Sequence, residues 1–324
     1  MLFLFLASFA CSSNVPDPRE SLQRKIPIRV GWQTTWATQG QLSVLLQNNS
    51  WLSEQGFEAS FVGFSYGAPL NEGALAGEVD VLFTADQPAL VLCNKDSDWG
   101  AIGRLMYNRV GTLVPASSSI QTATELNGLN VAIPIGAAAH RETLAAIKPS
   151  DDKPLNIYNM GVQEIAALVS AGEQNGKWGE LDAVSAWDPV LAELEILQGA
   201  KAVDYGQVTS LVMMSDGYQS QYPDAAKNFM RAFEQAYKTY QKAPKQADQD
   251  FAAHSQLSIS EAALTLAASI EPNLKKGASI RTTLNADDLV ALQDAADFMA
   301  SVNILKSPIK SDTCLRSMAI QAPQ

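Results

Sequence analysis

The sequence has few of the residues on which most catalytic and metal sites depend. Of its 324 residues, 2 are histidine and 3 are cysteine. No two cysteines have the close spacing of a zinc site, and none stands beside a histidine. The sequence also has no Ser/His or Cys/His arrangement typical of a hydrolase, and no glycine-rich loop that fits a nucleotide phosphate. We therefore expect a protein without a metal, without a bound cofactor and without enzymatic activity.

Basic residues and long apolar stretches are also scarce. The chain has 23 Lys and Arg residues against 34 Asp and Glu residues, which gives a formal net charge of −11. Because nucleic-acid binding needs a basic surface to neutralise phosphates, this balance excludes DNA and RNA as partners. After the first ten residues, no stretch approaches the ~18 apolar residues of a membrane helix. The remaining composition, 47% hydrophobic and 18% charged, is typical of a folded protein.

The first ten residues, MLFLFLASFA, form a short apolar run that is followed by Cys11, Ser12 and Ser13. This pattern is typical of a secretion signal. A cysteine directly after Ala10 resembles a bacterial lipoprotein cleavage site, although no basic residue precedes the run and Ser8 replaces the usual Leu or Val. A buried first strand is the alternative, but the polar, proline-containing segment that follows favours a tether. We expect residues 1–25 to be a signal and tether, and the protein to be exported and anchored through a lipid on Cys11.

The other two cysteines, Cys93 and Cys314, fall in the same predicted lobe. In an oxidising compartment they are candidates for a disulfide bond. Two buried free thiols are the alternative.

One pattern occurs twice in the sequence. Residues 72–88 (EGALAGEVDVLFTADQP) and 164–189 both have a helical run of small residues that ends at glycine, then an Asp that begins a short apolar strand, then a turn closed by proline. Each copy follows a strand, loop and helix, at residues 28–46 and 129–147. Two similarly wound α/β units direct their strand-end loops toward one crevice, where such sheets bind ligands. The sequence therefore predicts two lobes that enclose a small molecule.

The predicted boundaries divide the chain into a discontinuous first lobe, residues 26–115 plus 210–324, and a second lobe, residues 116–209. Strands are expected at Trp99–Arg104, at Gly111–Pro115 and at Ser210–Ser215. The chain crosses between the lobes near residues 116–119 and 205–209, and two crossings form a hinge around which a cleft can close. An apolar stripe, formed by Phe229, Phe233, Ala236, Tyr237 and Tyr240, predicts the buried face of a late helix.

The ordered motifs resemble those of the periplasmic solute-binding proteins of the alkanesulfonate, nitrate and taurine type. The resemblance rests on FSYGAPLNEGALAGEVD from Phe64, on ATELNGLNVAIPIGAAAH from Ala123, on LDAVSAWDP from Leu181, and on the late helix that follows Tyr222 and Pro223. It covers nearly all of the mature chain. It implies a type II periplasmic-binding-protein fold. It also implies a monomeric protein that delivers a small solute to the permease of an ABC transporter.

The resemblance also implies which residues contact the solute. They follow the strand ends and helix starts of both lobes, and are Gln33, Thr34, Thr35, Trp36, Tyr66, Gly67, Thr84, Ala85, Asp86, Gly136, Ala137, Ala138, Trp187 and Asp188.

Small side chains from Gly136 to Ala139 leave the first backbone N–H groups of the next helix unshielded, which makes a candidate anion site. Close packing of helix on strand is the alternative explanation. Trp36, Tyr66 and Trp187 are expected to form walls of the cleft, or else to belong to the core. His140, one turn into the helix, borders the predicted cleft, although an ordinary hydrogen bond is its more usual role.

Asp86 and Asp188 occupy turns that are often neutral in sulfonate-binding proteins, and two carboxylates there suggest a positive group on the ligand. Alternatively, each caps the helix that follows it. Capping is favoured for Asp188, and both interpretations stay open for Asp86. The expected solute is a sulfonate, a taurine-like compound, or another small anion or zwitterion.

Two other functions fit the same fold. One is an enzyme of the thiamine-pyrimidine or menaquinone-pathway type. The pyrimidine synthases carry a cysteine-rich run and a lysine for a pyridoxal cofactor, and this sequence has neither in its predicted loops. The other is a ligand sensor whose bound form contacts a signalling protein instead of a permease.

Overall fold

The computed structural model describes residues 25–150, 152–255 and 258–320, so Cys11 and the predicted signal lie outside the described residues. These residues form one mixed sheet with strand order β2-β1-β3-β8-β4-β7-β5-β6. The strands are β1 (Ile26–Gln33), β2 (Phe57–Phe64), β3 (Val81–Thr84), β4 (Trp99–Val114), β5 (Asn130–Ile133), β6 (Asn156–Asn159), β7 (Ala183–Trp187) and β8 (Lys201–Ser215).

Helices connect the strands and form the C-terminal part of the chain. They are α1 (Gln39–Asn48), α2 (Trp51–Glu54), α3 (Gly67–Leu75), α4 (Asp86–Lys95), α5 (Ala138–Ile147), α6 (Val162–Ser170), α7 (Val190–Gln198), α8 (Asp216–Gln221), α9 (Ala225–Lys242), α10 (Pro244–His254), α11 (Glu261–Ala268) and α12 (Ala286–Ser301). In the described ranges, no helix combines the length and the apolar character needed to cross a membrane.

The sheet has two similar halves. In one, which we call the first lobe, β1 pairs in parallel with β2 and β3. In the other, the second lobe, β5 pairs in parallel with β6 and β7. Helices α1–α4 connect strands of the first lobe, and α5 and α6 connect strands of the second. The predicted α/β class and the repeated strand–helix unit are thus confirmed.

Two long strands carry the sheet from one lobe to the other. β4 and β8 pair antiparallel from Trp99 and Ser215 at one end to Val114 and Lys201 at the other. The prediction of two separate strand pieces in residues 99–115 is therefore wrong, because β4 is continuous. Its pairing with β8 is irregular between Arg104 and Tyr107. The predicted crossing at residues 205–209 lies inside β8, and the lobe boundaries at 116 and 210 stay predictions.

A buried ion pair holds the irregular part of β4. The Arg104 guanidinium donates to both carboxylate oxygens of Glu271, at 2.8 and 2.7 Å, and both side chains are fully buried. Glu271 also accepts a 2.7 Å hydrogen bond from the Tyr107 backbone N–H. Since buried backbone groups need hydrogen-bond partners, the Glu271 carboxylate takes the place of the β8 backbone as the partner of this N–H group. Glu271, which is far from β4 in the sequence, thus provides a hydrogen-bond partner where the pairing of β4 with β8 is irregular.

The first lobe also contains a disulfide bond. Cys93, near the end of α4, is joined to Cys314, with 5.7 Å between the two Cα atoms. The bond attaches the C-terminal segment to the helix that begins at the cleft.

Candidate ligand site between the lobes

A cavity that is partly open to solvent lies between the lobes, beside the strands that connect them. The first lobe contributes Gln33, Trp36, Gly67, Ala85 and Pro88 to its wall, and the rest of the wall consists of Asn108, Val110, Ala137, Ala138, Ala139 and Trp187. The cavity has a volume of about 20 Å³, and the space around it, about 290 Å³, includes open solvent. The cavity is therefore small and nearly filled by its own walls.

The winding of the sheet brings these residues together. Gln33 and Trp187 are the last residues of β1 and β7, and Ala85 follows the last residue of β3. Ala137 lies in the turn between β5 and α5. β1 and β3 run antiparallel to β5 and β7, so the carboxyl ends of the two groups face each other across the middle of β4. In each lobe the carboxyl end of the parallel strands is the usual position of a ligand site in α/β sheets.

Three helices begin at the cavity. α3 begins at Gly67, α4 follows Ala85, and α5 follows Ala137. The first N–H groups of a helix have no partner within it, and each helix start carries a partial positive charge of roughly half a unit. The methyl groups of Ala138 and Ala139 are too short to cover these groups. These helix starts therefore bring partial positive charge toward the cavity, although none of the described residues that line it is charged.

Two tryptophans with buried side chains line this cavity from opposite lobes. Trp36 is 1% exposed and Trp187 is 4% exposed, and both line the space. Neither indole Nε1–H has a hydrogen-bond partner among the described residues. A buried donor without a partner costs about 1–3 kcal/mol. A ligand that only accepts hydrogen bonds would satisfy both.

Asp86 is buried and pairs with a residue of the other lobe. Its Oδ2 lies 2.7 Å from Nη2 of Arg141 in α5, and its Oδ1 accepts from the Gln87 backbone N–H at 2.6 Å. The Gln87 side chain in turn accepts from the backbone N–H of Arg141 at 3.1 Å. Burial raises the pKa of the Asp86 carboxyl, and the Arg141 guanidinium opposes that rise. These contacts connect α4 directly to α5 across the cleft.

Asp188 is buried within the second lobe. It accepts two hydrogen bonds from Arg109, at 3.0 and 2.9 Å, and one from the backbone N–H of Ala192 in the first turn of α7, at 3.2 Å. The last of these is the type of contact that a capping residue makes. Burial raises the pKa of Asp188, against the effect of Arg109.

The other predicted residues lie around the cavity rather than in its wall. Thr35 and Tyr66 border a groove with Asn159 and Glu164, whereas Gly136 and His140 border a different groove. The Thr34 hydroxyl donates to Phe64 O at 3.4 Å, and the buried Thr84 hydroxyl has no partner among the described residues. Burial lowers the pKa of His140. Ligand contact stays a prediction for all the residues of the predicted site.

Sequence reasoning missed four residues of the wall, namely Pro88, Asn108, Val110 and Ala139. Asn108 and Val110 belong to the part of β4 that was expected to be a break between two strands. An asparagine in the middle of a long apolar stretch was an available signal. Arg109 and Arg141, the partners of the two aspartates, were missed as well.

Known proteins resemble this chain in sequence and in fold. No protein-family model matches the sequence. The chain is 25% identical over 285 residues to a protein of Bacillus subtilis (strain 168) that is named for binding aliphatic sulfonates, and the alignment covers 84% of this chain and 80% of that protein. The chain resembles the sulfonate-binding proteins. The family resemblance inferred from the motifs is thus confirmed.

Solved structures show the same fold. The alkanesulfonate-binding protein of Xanthomonas axonopodis pv. citri, bound to MOPS, is 19% identical with a TM-score of 0.72, covering 90% of this chain and 98% of that one. The periplasmic aliphatic sulphonate-binding protein of Escherichia coli is 17% identical with a TM-score of 0.71, covering 92% and 94%. A desulfurization enzyme also matches, at 14% identity and a TM-score of 0.59, over 90% and 96%. The periplasmic-binding-protein fold is confirmed, and the fold alone does not separate binding from catalysis.

Proposed function

We propose that this protein is the solute-binding component of an ABC importer and that it encloses a small sulfonate in the cavity between its lobes. The observation that carries the proposal is that Trp36 and Trp187, whose buried indole N–H groups have no partner among the described residues, line the same cavity from opposite lobes.

The chemistry of the wall supports an anion. A sulfonate has three oxygens that accept hydrogen bonds and no hydrogen to donate, which complements indole N–H groups and free helix N–H groups. Three helix starts favour negative charge at the same place. A ligand that bridges the two lobes favours the closed form over an open one, because it gains both sets of contacts only when the lobes meet.

The same wall supports binding rather than catalysis. General acid–base and nucleophilic steps need a titratable or nucleophilic side chain beside the ligand. The described residues that line the cavity are apolar residues, tryptophans and the amides Gln33 and Asn108. Neither amide is a suitable acid, base or nucleophile.

The binding experiment is isothermal titration calorimetry of the mature protein with ethanesulfonate, nitrate and glucose. We expect one saturable site for ethanesulfonate and no heat with glucose, which is the uncharged control. A well-folded protein that binds neither anion, after removal of any co-purified solute by partial unfolding and refolding, would contradict the proposal.

Export and anchoring form a separate part of the proposal. We expect a monomer that is held at the membrane by a lipid on Cys11 and that docks on a permease in its closed form. Metabolic labelling with palmitate should mark the wild-type chain and leave Cys11→Ala unlabelled. Labelling of both forms, or of neither, would refute anchoring at Cys11.

A further inference from the structure

We infer that the contact between Ser260 and Glu193, which lies outside the ligand cavity, is a clasp that holds the two lobes in the closed form. The inference rests on the proposed function and concerns the regulation of that same site. It follows from the attachment of α11 to the first lobe at both of its ends, and from the contact that its N-cap residue makes with the second lobe.

The C-terminal end of α11 is attached to the first-lobe half of the sheet. Just after α11, Glu271 accepts two hydrogen bonds from the Arg104 guanidinium, and both side chains are fully buried. Arg104 lies opposite Leu211 of β8, and Leu211 in turn lies opposite Thr84 of β3. Because β3 belongs to the first lobe, Glu271 fixes this end of α11 to that lobe.

Two further contacts attach α11 and the segment after it to helices of the first lobe. The Nε2 group of Gln241 in α9 lies within 3.1 Å of three backbone carbonyls in residues 273–278. Glu261, the first residue of α11, pairs with Lys245 of α10 at 2.9 Å. Both α9 and α10 pack against α1, which connects two strands of the first lobe. The first lobe therefore holds α11 from both sides.

The N-cap residue of α11 contacts the second lobe. Ser260 donates from its backbone N–H and from its hydroxyl to Oε2 of Glu193, at 3.0 and 2.6 Å. Glu193 lies in the first turn of α7, the helix that follows Trp187 of the cavity wall. Hydrogen bonds to a carboxylate are stronger than those between neutral groups. This contact thus joins a first-lobe segment to the helix that begins beside the cavity.

The packing around this contact is looser than at the other end of α11. A groove of about 260 Å³ separates part of α7 from Ser258 and Ile259, and Glu193 borders it. Ser260 and Glu193 are both half-buried, whereas Arg104 and Glu271 are fully buried. The contact with α7 is therefore the one that separates most easily when the lobes move.

Opening of the cleft breaks the clasp. The sheet passes between the lobes through β4 and β8, so a rotation of the lobes moves α7 relative to α1 and β3. α11 stays with the first lobe, and Ser260 then leaves Glu193. The two hydrogen bonds exist in the closed form alone, and they favour it whether or not a ligand is present. If α11 instead moved together with α7, the contact would have no effect on ligand binding.

The test removes the acceptor and keeps the helix cap. In Glu193→Ala, the Ser260 hydroxyl still accepts from the Ala263 backbone N–H, as it does at 3.2 Å in the native chain. The probe is 1-propanesulfonate, the next homologue of ethanesulfonate. We expect calorimetry to show a Kd raised about tenfold, the value of a hydrogen bond to a charged group. Small-angle scattering near the wild-type Kd should show a larger radius of gyration for the variant.

Three variants serve as controls. Asp287→Ala removes an exposed acidic residue from the first turn of α12 and should leave the Kd unchanged. Ser260→Thr keeps the hydroxyl and should bind as the wild type does. Because the two residues act through one contact, Glu193→Ala/Ser260→Ala should bind no more weakly than the weaker of its single variants.

The outcomes separate this inference from the proposed function. If Glu193→Ala binds propanesulfonate with the wild-type Kd, α11 stays on α7 in both forms, and the clasp is overturned while sulfonate binding stands. If no sulfonate binds to the folded wild type, the proposed function fails, and scattering of the ligand-free proteins decides on the clasp. A larger radius of gyration for Glu193→Ala then supports it, and equal radii overturn it.

Discussion

Trp36 and Trp187 each bring an aromatic ring and one hydrogen-bond donor to the cavity. A buried tryptophan usually finds a partner for its N–H, so two without one, on opposite lobes and around the same space, are unusual. The two rings also belong to the wall. The same two residues thus bring donors and aromatic surface to the site.

We predict that Trp36→Phe and Trp187→Phe each weaken propanesulfonate binding by about tenfold to a hundredfold, the value of one hydrogen bond to a charged group. Phenylalanine keeps a six-membered aromatic ring at each position, so the unfolding free energy should fall less than it would on truncation to alanine. Calorimetric titration of each variant with propanesulfonate measures the Kd and tests this prediction. Trp51→Phe, at a half-buried position outside the cavity, is the matched control and should bind as the wild type does.

The histidines give a prediction about pH. Burial lowers the pKa of His140 below its ordinary value of about 6.5. As the pH falls through about 6.5, His140 of the unfolded chain therefore takes up a proton, whereas His140 of the folded protein stays neutral to a lower pH. The free energy of unfolding consequently decreases toward acid pH. His140→Gln should reduce this loss between about pH 7.5 and pH 5.5, by no more than about 1.4 kcal/mol per pH unit.

Urea unfolding at the two pH values measures the effect as a difference from the wild type, which cancels the contributions of the carboxylates. His254→Gln, at an exposed position on α10, should retain the wild-type dependence. If His140→Gln also retains it, the burial of His140 does not affect its protonation.

Individual elements are held together by contacts between parts of the chain that are far apart in the sequence. The Cys93–Cys314 bond spans 221 residues, and the Arg104–Glu271 pair ties β4 to the segment after α11. None of these four residues lines the cavity. They stabilise the body on which the cleft is built.

Loss of the disulfide should lower stability without affecting recognition. Cys93→Ala/Cys314→Ala should reduce the free energy of unfolding by about 2–5 kcal/mol, because the open chain regains conformational entropy. Its Kd for propanesulfonate should match that of the wild type, since neither cysteine lines the cavity. Urea titrations in oxidising buffer test this, with Cys11→Ala as the control. Equal midpoints for the double variant and the wild type would contradict the prediction.

At the scale of the whole molecule, the closed form depends on the contacts between the two lobes. The Asp86–Arg141 pair is the charged contact that joins α4 of the first lobe to α5 of the second, and both side chains are at most 10% exposed. Removing one partner of such a pair leaves a buried charge, at a cost of about 3–5 kcal/mol. That cost falls on the closed form, because in an open form water would reach the remaining charge.

Arg141→Gln should therefore shift the molecule toward the open form and weaken ligand binding at least about tenfold. Small-angle scattering should show a larger radius of gyration than the wild type in the presence of propanesulfonate. The double variant Asp86→Asn/Arg141→Gln also removes the Asp86 charge, so that Glu142 is the carboxylate left without Arg141, and it should recover part of the affinity. A single variant with wild-type affinity and dimensions would show that the pair does not control closure.

Much of the architecture follows from local patterns. The strand–loop–helix repeats at residues 28–46 and 129–147 and the buried face of α9, with Phe229, Phe233 and Tyr237, are visible in the sequence because helix and strand periodicity are local properties. Within each lobe, the convergence of strand-end loops follows from the winding rules of parallel sheets. Gln33 and Trp187 meet because the parallel strands of the two lobes run in opposite directions, toward each other across β4.

Other features arise only in the folded molecule. Asp86 and Arg141 are 55 residues apart in the sequence, and Arg109 and Asp188 are 79 apart, yet the fold pairs the buried carboxylates with these arginines. The contribution of Asn108 and Val110 depends on β4 continuing through an irregular pairing that Glu271 stabilises. The size of the cavity likewise depends on how closely two separately wound lobes approach. Such distances are set by packing between distant segments, and no local pattern of residues encodes them.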